Sequence, residues 1–144
     1  MIKENKNMTT SEWEIMRVIW TLGEATSRQI IRVMRLKTDW SPSTIKTLIT
    51  RLKNKSYLID NGAVRDRLYK PTITEHDAMT NTLHQTINSM CAMCVGDAIT
   101  NAIASTTLSR HDILRLQDIL SQKLSTAPEA VACNCMPNNW EDEQ

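Results

Sequence analysis

The sequence contains no phenylalanine, only three glycines and four prolines among its 144 residues, and no long uninterrupted apolar run. The scarcity of glycine and proline excludes collagen-like and low-complexity proteins. A transmembrane helix needs roughly 18 to 20 consecutive apolar residues, so the sequence predicts no membrane partner. Without phenylalanine, the aromatic part of any core must come from four Trp and two Tyr.

Signatures of catalysis and secretion are also missing. The chain has no glycine-rich phosphate loop, no Gly-x-Ser-x-Gly and no His-Glu-x-x-His. We therefore expect neither an enzyme nor a small-molecule substrate. The N-terminal residues MIKENKNMTT lack the apolar segment and cleavage site of a secretory signal. This predicts a cytoplasmic protein, in which the four cysteines remain free thiols.

The net charge of +1 conceals two halves of opposite sign. The first 73 residues carry 14 Lys and Arg against 7 Asp and Glu, a net charge of +7. The other 71 residues carry 3 against 9, a net charge of −6. A basic half of this kind is suited to an anionic partner such as nucleic acid.

Two helices are predicted at the start of the chain. A capping box at Thr9 to Ser11 precedes an apolar periodicity that ends at Gly23. Thr26, with Gln29 three residues later, begins a second helix that runs to about Leu36.

A third helix begins at Ser41-Pro42, the clearest helix start in the sequence. One face is apolar, and the opposite face carries hydroxyls and a cation. No acidic residue lies between Ser41 and Tyr57, whereas a solvated helix usually mixes both charge signs. This pattern predicts an anion-binding face, and its members are Ser43, Lys46, Thr47 and Thr50, opposite Ile45, Leu48, Ile49 and Leu52.

A β-hairpin is predicted after this helix. Asn61-Gly62 favours a two-residue type I′ turn between a strand ending at Asp60 and a second strand, Ala63 to Tyr69. Three helices followed by a hairpin is the order of a winged helix-turn-helix. The predicted fold class is therefore mainly α, a winged helix-turn-helix DNA-binding domain with a small β-hairpin wing, followed by a helical dimerisation arm.

The second half is predicted to be helical. One long or broken helix should span about residues 75–104, and Ser109 caps another that runs to Leu124. Their apolar faces exceed the partners that one chain offers, which favours a homodimer. We expect a DNA-binding domain at residues 1–73, a dimerisation domain at residues 74–126 and a flexible tail at residues 127–144. The tail contains Cys133-Asn134-Cys135, a pair of soft thiolates that favours Cu(I) or Zn.

Four segments resemble a known family. SEWEIMRVIW at residues 11–20 and WSPSTIKTLITRL at residues 40–52 are similar to the BlaI/MecI penicillinase-repressor family. Residues 107–120 and the terminal VACNC at residues 131–135 resemble its copper-responsive CopY branch. The likeness covers roughly residues 9–135.

The resemblance implies a winged-helix protein that represses by binding a palindromic operator as a dimer. In the CopY branch, Zn at tail thiolates supports operator binding, and Cu(I) displaces Zn and releases the DNA. That branch usually carries a second Cys-x-Cys, where this chain reads Asn138-Asn139-Trp140-Glu141. In the β-lactam branch, release follows proteolysis at an Asn-Phe bond that corresponds to Asn101-Ala102 here.

The leading hypothesis is thus a metal-responsive repressor, with Cu(I) or Zn as the expected cofactor. The alternatives are a repressor released by proteolysis and a metal-binding interaction protein without operator affinity. The expected metal ligands are Cys133 and Cys135, with Cys91 and Cys94 as further candidates. The expected contacts to double-stranded operator DNA are Ser41, Ser43, Thr44, Lys46, Thr47, Thr50, Arg51, Arg65, Arg67 and Tyr69.

Overall fold

The structure, a computed structural model, describes residues 6–143, without the side chains of Asp142 and Glu143. Residues 1–5, which belong to the segment that argued against a secretory signal, lie outside the described residues. The chain divides into two compact units, Met1–Thr82 and Leu83–Gln144. No helix in the described part of the chain combines the length and apolarity needed to cross a membrane.

The described chain is mainly helical, with one small sheet. In order, its helices and strands are α1 (Thr10–Leu22), β1 (Ala25–Thr26), α2 (Ser27–Lys37), α3 (Pro42–Asn54), β2 (Leu58–Asp60), β3 (Leu68–Pro71), α4 (Glu75–Asn88), α5 (Val95–Ser105), α6 (Arg110–Leu124) and a 3₁₀ turn (Trp140–Glu143).

The predicted caps of the first three helices are confirmed. The Thr9 side chain accepts a hydrogen bond from the Glu12 amide at the start of α1. Thr26 and Gln29 form a reciprocal capping box at the start of α2. Ser41 caps α3, with Pro42 as its first residue. Short local hydrogen bonds set these boundaries, so local sequence was enough to place them.

The first unit packs around an aliphatic core. Because phenylalanine is absent, any aromatic part of this core must come from Trp and Tyr, but none of the six is fully buried in the described structure. Trp20, Trp40, Tyr57 and Tyr69 are half-buried at its edge. The fully buried side chains come from all three helices and β2, and include Ile15, Met16, Ile19, Ile30, Met34, Ile45, Ile49, Leu52 and Leu58.

A three-stranded antiparallel sheet completes this unit, in the order β1-β3-β2. Thr26 pairs with Leu68, and Asp60 pairs with Tyr69. The two-residue strand β1 was not predicted, because it is too short to show a periodic pattern and exists only through its pairing with β3. Three helices with this sheet form a winged helix-turn-helix, as predicted.

The predicted two-residue turn at Asn61-Gly62 is wrong. The strands pair only as far as Asp60 and Tyr69, so the second strand is Leu68–Pro71 and a longer loop separates it from β2. The Asn61 side chain accepts hydrogen bonds from the amides of Ala63 and Leu68, and Gly62 alone of the two has a positive φ. Side-chain acceptors thus replace the tight turn that the dipeptide favours.

The second unit contains the end of α4, together with α5, α6 and the tail. The helix expected over residues 75–104 is broken between Asn88 and Val95, in agreement with the second of the two forms predicted. Ser109 caps α6 by accepting from the Asp112 amide. Neither α5 nor α6 has a buried residue.

Candidate nucleic-acid interface and candidate metal centre

Helix α3 separates a buried face from an exposed polar face. The four apolar residues predicted for the inner face are all buried. Ser41, which caps the helix, accepts the Thr44 amide at 3.2 Å and is itself exposed. The α3 residues predicted to contact DNA are all exposed, namely Ser43, Thr44, Lys46, Thr47, Thr50 and Arg51.

The threonines of the outer face bond to their own helix. Thr47 Oγ1 donates to the Ser43 carbonyl at 2.9 Å, and Thr50 Oγ1 donates to the Lys46 carbonyl at 3.0 Å. Each hydroxyl proton is thereby used, whereas each oxygen keeps lone pairs that can accept a hydrogen bond. These two residues are therefore set to accept hydrogen bonds, for example from base amino groups, rather than to donate to phosphate.

The cations of α3 and Lys55, the residue just after it, fall into two groups. Lys46 and Arg51 form no ion pair with any residue that the structure describes. Toward the C-terminal end, Lys55 Nζ lies 2.9 Å from the buried Glu12, and Lys53 Nζ lies 2.5 Å from Asp60. The charges of Lys46 and Arg51 are therefore available to an external anion, whereas Lys53 and Lys55 anchor the end of the helix.

Asp60 connects α3 to the wing. The Lys53 ammonium, the Gly62 amide and Arg67 hold the pKa of the Asp60 carboxyl below its usual range. The Gly62 amide donates to Asp60 Oδ1 at 2.7 Å. The carboxylate therefore fixes the start of the wing loop relative to the end of α3.

Among the three wing residues expected at DNA, the structure distinguishes Arg65 from the others. Arg65 is exposed, without an ion-pair partner among the described residues. Arg67 is half-buried, and its Nε donates to the Ala63 carbonyl at 2.9 Å. Tyr69 is half-buried in β3 and packs against the core. The positions of Arg67 and Tyr69 are those of residues that shape the wing.

Residues at the start of α2, which the sequence analysis did not single out, line a groove with Lys46 of α3. Ser27, Arg28 and Lys46 line one groove together with Asp66 of the wing loop. Arg28 lies 3.6 Å from Asp66, in a largely exposed ion pair. The position of Ser27 and Arg28 just after the Thr26 cap was the available signal in the sequence, since a helix N-terminus attracts anions.

Three cysteines converge in the second unit. Cys91 lies in the turn between α4 and α5, and its Sγ is 3.6 Å from Cys133 Sγ in the tail. The ligand sulfurs of Cys91, Cys133 and Cys135 all lie within 4.8 Å of one another. Cys94, the residue before α5, is not one of these three, although its thiol hydrogen-bonds to that of Cys91. The tail motif and one of the two further candidates are thus brought together.

The thiols of the cluster perturb one another. Hydrogen bonds from the Cys135 thiol, the Met93 amide and the Cys133 thiol lower the pKa of Cys91 to about 7. Hydrogen bonding to Cys133 and then Cys91 raises the pKa of Cys135 to about 12. At neutral pH this favours a thiolate at Cys91 held by neighbouring thiols. Soft metal ions bind thiolate sulfur, so the donor set fits Cu(I) or Zn.

The second unit contains an apolar groove. Met90, Ile99 and Ile103 are exposed although large and apolar. Together with Leu83, Ile87, Ala98, Ala102, Leu108 and Leu116 they line one groove. Helices that bury nothing within their own chain have an apolar face left for a partner.

Comparison with known proteins finds relatives along most of the chain. The family model described as penicillinase repressor matches residues 8–122. An uncharacterized 16.5 kDa protein in the ptsI 3′ region of Latilactobacillus sakei is 43% identical over 144 residues, covering 100% of this chain and 99% of that protein. The methicillin resistance regulatory protein MecI of Mammaliicoccus sciuri is 30% identical over 123 residues, covering 85% of this chain and 100% of MecI.

Among solved structures, the DNA binding domain of the repressor BlaI is 32% identical, with a TM-score of 0.47, and the match covers 53% of this chain and 93% of that domain. Cys91 lies inside the residues that the family model matches, whereas Cys133 and Cys135 lie beyond them.

Proposed function

This chain belongs to the penicillinase repressor family, and from that premise we propose that it represses transcription by binding operator DNA as a homodimer, with a soft metal ion at its tail thiols controlling the affinity. The family consists of repressors and not of enzymes. The copper-responsive CopY branch is the closest description of the activity that we propose.

DNA binding is assigned to residues 1–73. The observation that carries it is the exposed face of α3, which has no carboxylate and whose Lys46 and Arg51 form no ion pair among the described residues. A winged helix-turn-helix places this helix in the major groove, where lysine and arginine reach phosphates and base edges. Arg65 at the wing adds a cation for the adjacent backbone. Arg67 and Tyr69 are proposed to act by shaping the wing.

Dimerisation is assigned to residues 74–126. Helices α5 and α6 have apolar stripes but no buried residue within one chain. A twofold dimer buries the same surface of both protomers and presents two winged helices to the two halves of a palindromic operator.

Metal sensing is assigned to residues 127–144, with Cys133 and Cys135 as ligands. The convergence of these thiols with a third cysteine supports this assignment. A bound soft ion replaces thiol protons and links the sulfurs to one another. We propose that operator affinity falls when the thiolates bind Cu(I), in a protein that acts in the cytoplasm.

Operator binding by the purified dimer, with and without metal, tests the proposal. The probe is the DNA upstream of the protein's own gene in an anaerobic gel shift, titrated with Cu(I) or Zn. We expect a retarded complex that Cu(I) releases from the wild type and not from Cys133→Ser/Cys135→Ser. Cys94→Ser is the matched control and should respond as the wild type does.

The alternative functions predict other outcomes of the same experiment. Metal binding without any retarded DNA would identify a metal-binding interaction protein. Equal release of the wild type and the double variant by Cu(I) would remove the tail from the mechanism. Release by proteolysis at Asn101-Ala102 lacks specific support, because this bond lies within α5, where Asn101 Nδ2 donates to the Asp97 carbonyl. Mass spectrometry after induction would detect a cut there.

A further inference from the structure

The turn between α4 and α5 meets the tail at its cysteines, although 42 residues separate Cys91 from Cys133. The contact does not depend on the thiols alone. Asn134, between the two tail cysteines, accepts a hydrogen bond from the Ala92 amide at 2.9 Å. The Cys135 amide lies 3.5 Å from Cys133 Sγ and donates to it. The middle residue of Cys-Asn-Cys thus fastens the tail beside Cys91.

The spacing of the three sulfurs matches that of ligands around one metal ion. With a metal–sulfur bond of about 2.3 Å, three sulfurs in a trigonal plane lie about 4 Å apart. Cys91 and Cys133 are 3.6 Å apart, and no pair in the group exceeds 4.8 Å. Shifts of a few tenths of an ångström to about one ångström in these side chains, of which Cys133 and Cys135 are exposed, are enough to bring all three to bonding distance.

We propose that Cys91, Cys133 and Cys135 form a three-thiolate site for one Cu(I) ion per chain, with Cys91 as the ligand that connects the tail to the dimerisation arm. This inference rests on the proposed function and names the ligand set and the stoichiometry of its metal site. It also accounts for the single Cys-x-Cys of the tail, because the third sulfur comes from the α4–α5 turn.

The number of donors favours Cu(I) over Zn. Structural Zn is almost always held by four protein ligands in a tetrahedron, whereas soft Cu(I) selects thiolates. Within the part of the chain that the structure describes, no fourth Cys, His or carboxylate offers a ligand atom within 4.8 Å of all three sulfurs, although the Cys94 thiol hydrogen-bonds to Cys91. A three-sulfur set completed within one chain needs no ligand from a partner subunit.

Cys91 links the proposed metal site to the dimerisation arm. Cys91 lies three residues beyond the end of α4 and four before the start of α5, and Met90 beside it lines the apolar groove of α4, α5 and α6. Metal binding would therefore restrain the break between two helices of the dimerisation arm. Ions held by the tail alone would leave that break unrestrained.

Cu(I) titration of the reduced full-length protein against a chromophoric Cu(I) chelator tests the ligand set. We compare the wild type with Cys91→Ser, and use Cys94→Ser as the matched control because it removes a thiol that contacts Cys91 without belonging to the group of three sulfurs. The loss of partners that only support ligands costs about 10- to 100-fold in metal affinity, so losing Cys91 itself should weaken binding at least about tenfold. The control should bind one Cu(I) per chain with wild-type affinity.

X-ray absorption spectroscopy measures the number of sulfur ligands directly, and a thiol-protection experiment identifies which cysteines bind. Three sulfurs per copper are expected in the wild type and in Cys94→Ser, and fewer in Cys91→Ser. In the unmodified protein, one equivalent of Cu(I) should protect Cys91 from alkylation, as measured by mass spectrometry, while Cys94 continues to react. This second measurement needs no variant, so misfolding of Cys91→Ser would not remove the test.

The outcomes separate this inference from the proposed function. Wild-type Cu(I) affinity in Cys91→Ser, full alkylation of Cys91 in the copper-loaded protein, or a copper with two or four sulfurs would each overturn the three-thiolate site. Operator release by Cu(I) would still stand in those cases. A three-sulfur copper site in a protein that never retards the operator would instead overturn the proposed function and leave the site intact.

Discussion

Removal of Lys46 and Arg51, the two α3 cations without an ion pair among the described residues, should change the salt dependence of DNA binding more than any other property. In the double variant Lys46→Ala/Arg51→Ala, the helix keeps its cap and its four buried residues, because both changed side chains are exposed. The anchoring contacts of Lys53 and Lys55 are also untouched. The fold should therefore survive while the phosphate contacts are lost.

The expected magnitude follows from counting free cations. If Lys46, Arg51 and Arg65 each meet one phosphate in both protomers, the dimer makes about six contacts, and log K should fall against log salt with a slope of about −5.4. Affinity would then drop about 1,800-fold between 50 and 200 mM salt. The double variant keeps about two contacts, for a slope of about −1.8 and a drop of about 12-fold.

Fluorescence anisotropy of a labelled duplex, repeated across this salt range, measures both slopes. The control is Arg110→Ala/Lys123→Ala, which removes the same charge from exposed positions of α6. It should keep the wild-type slope if the effect is local to α3. An unchanged slope in the α3 variant, or an equal change in the α6 variant, would refute the assignment of α3 to DNA.

Three further predictions concern the stability of the first unit. Glu12→Gln leaves Lys55 without its charge partner in a site where Glu12 is 1% exposed and the Lys55 side chain 23% exposed, so urea unfolding should show a loss of about 1–3 kcal/mol; an unchanged stability would contradict the importance of this pair. Leu52→Ala empties a fully buried position and should cost about 2–5 kcal/mol with an unchanged m value. The Lys53 ammonium lowers the pKa of Asp60, so the stabilisation is present above the unfolded-state pKa of about 3.9 and is lost as the pH falls through the lower folded-state value. The free energy of unfolding of Asp60→Asn, measured by denaturant titration at each pH, should accordingly fall less below pH 4 than that of the wild type.

Helix starts were predictable because each depends on a few neighbouring residues. Thr9, Thr26, Ser41 and Ser109 all cap helices at the predicted positions. The wing was predicted only in outline. Asn61-Gly62 has the composition of a tight turn, but the pairing of Asp60 with Tyr69 and the hydrogen bonds of Asn61 set a longer loop.

The candidate interface was predictable as a helix face and less so as a set of residues. A period of 3.6 residues places Lys46 and Thr50 outside and Leu48 inside without knowledge of the rest of the fold. The same rule says nothing of a loop. Contact of Arg67 with DNA stays a prediction, and the sequence did not indicate that its Nε donates to the Ala63 carbonyl or that Arg28 and Asp66 pair across elements distant in sequence.

The sequence by itself determined the helices, their caps, the basic surface of the first half and the family, because all of these depend on short segments read one at a time. The tertiary structure alone decided which cations are already paired and which thiols meet. Cys91 and Cys94 are the same residue type three positions apart, yet only Cys91 has its sulfur within 4.8 Å of those of both Cys133 and Cys135. The fold brings Cys91 to Cys133, 42 positions later in the sequence, and no local sequence pattern predicts that contact.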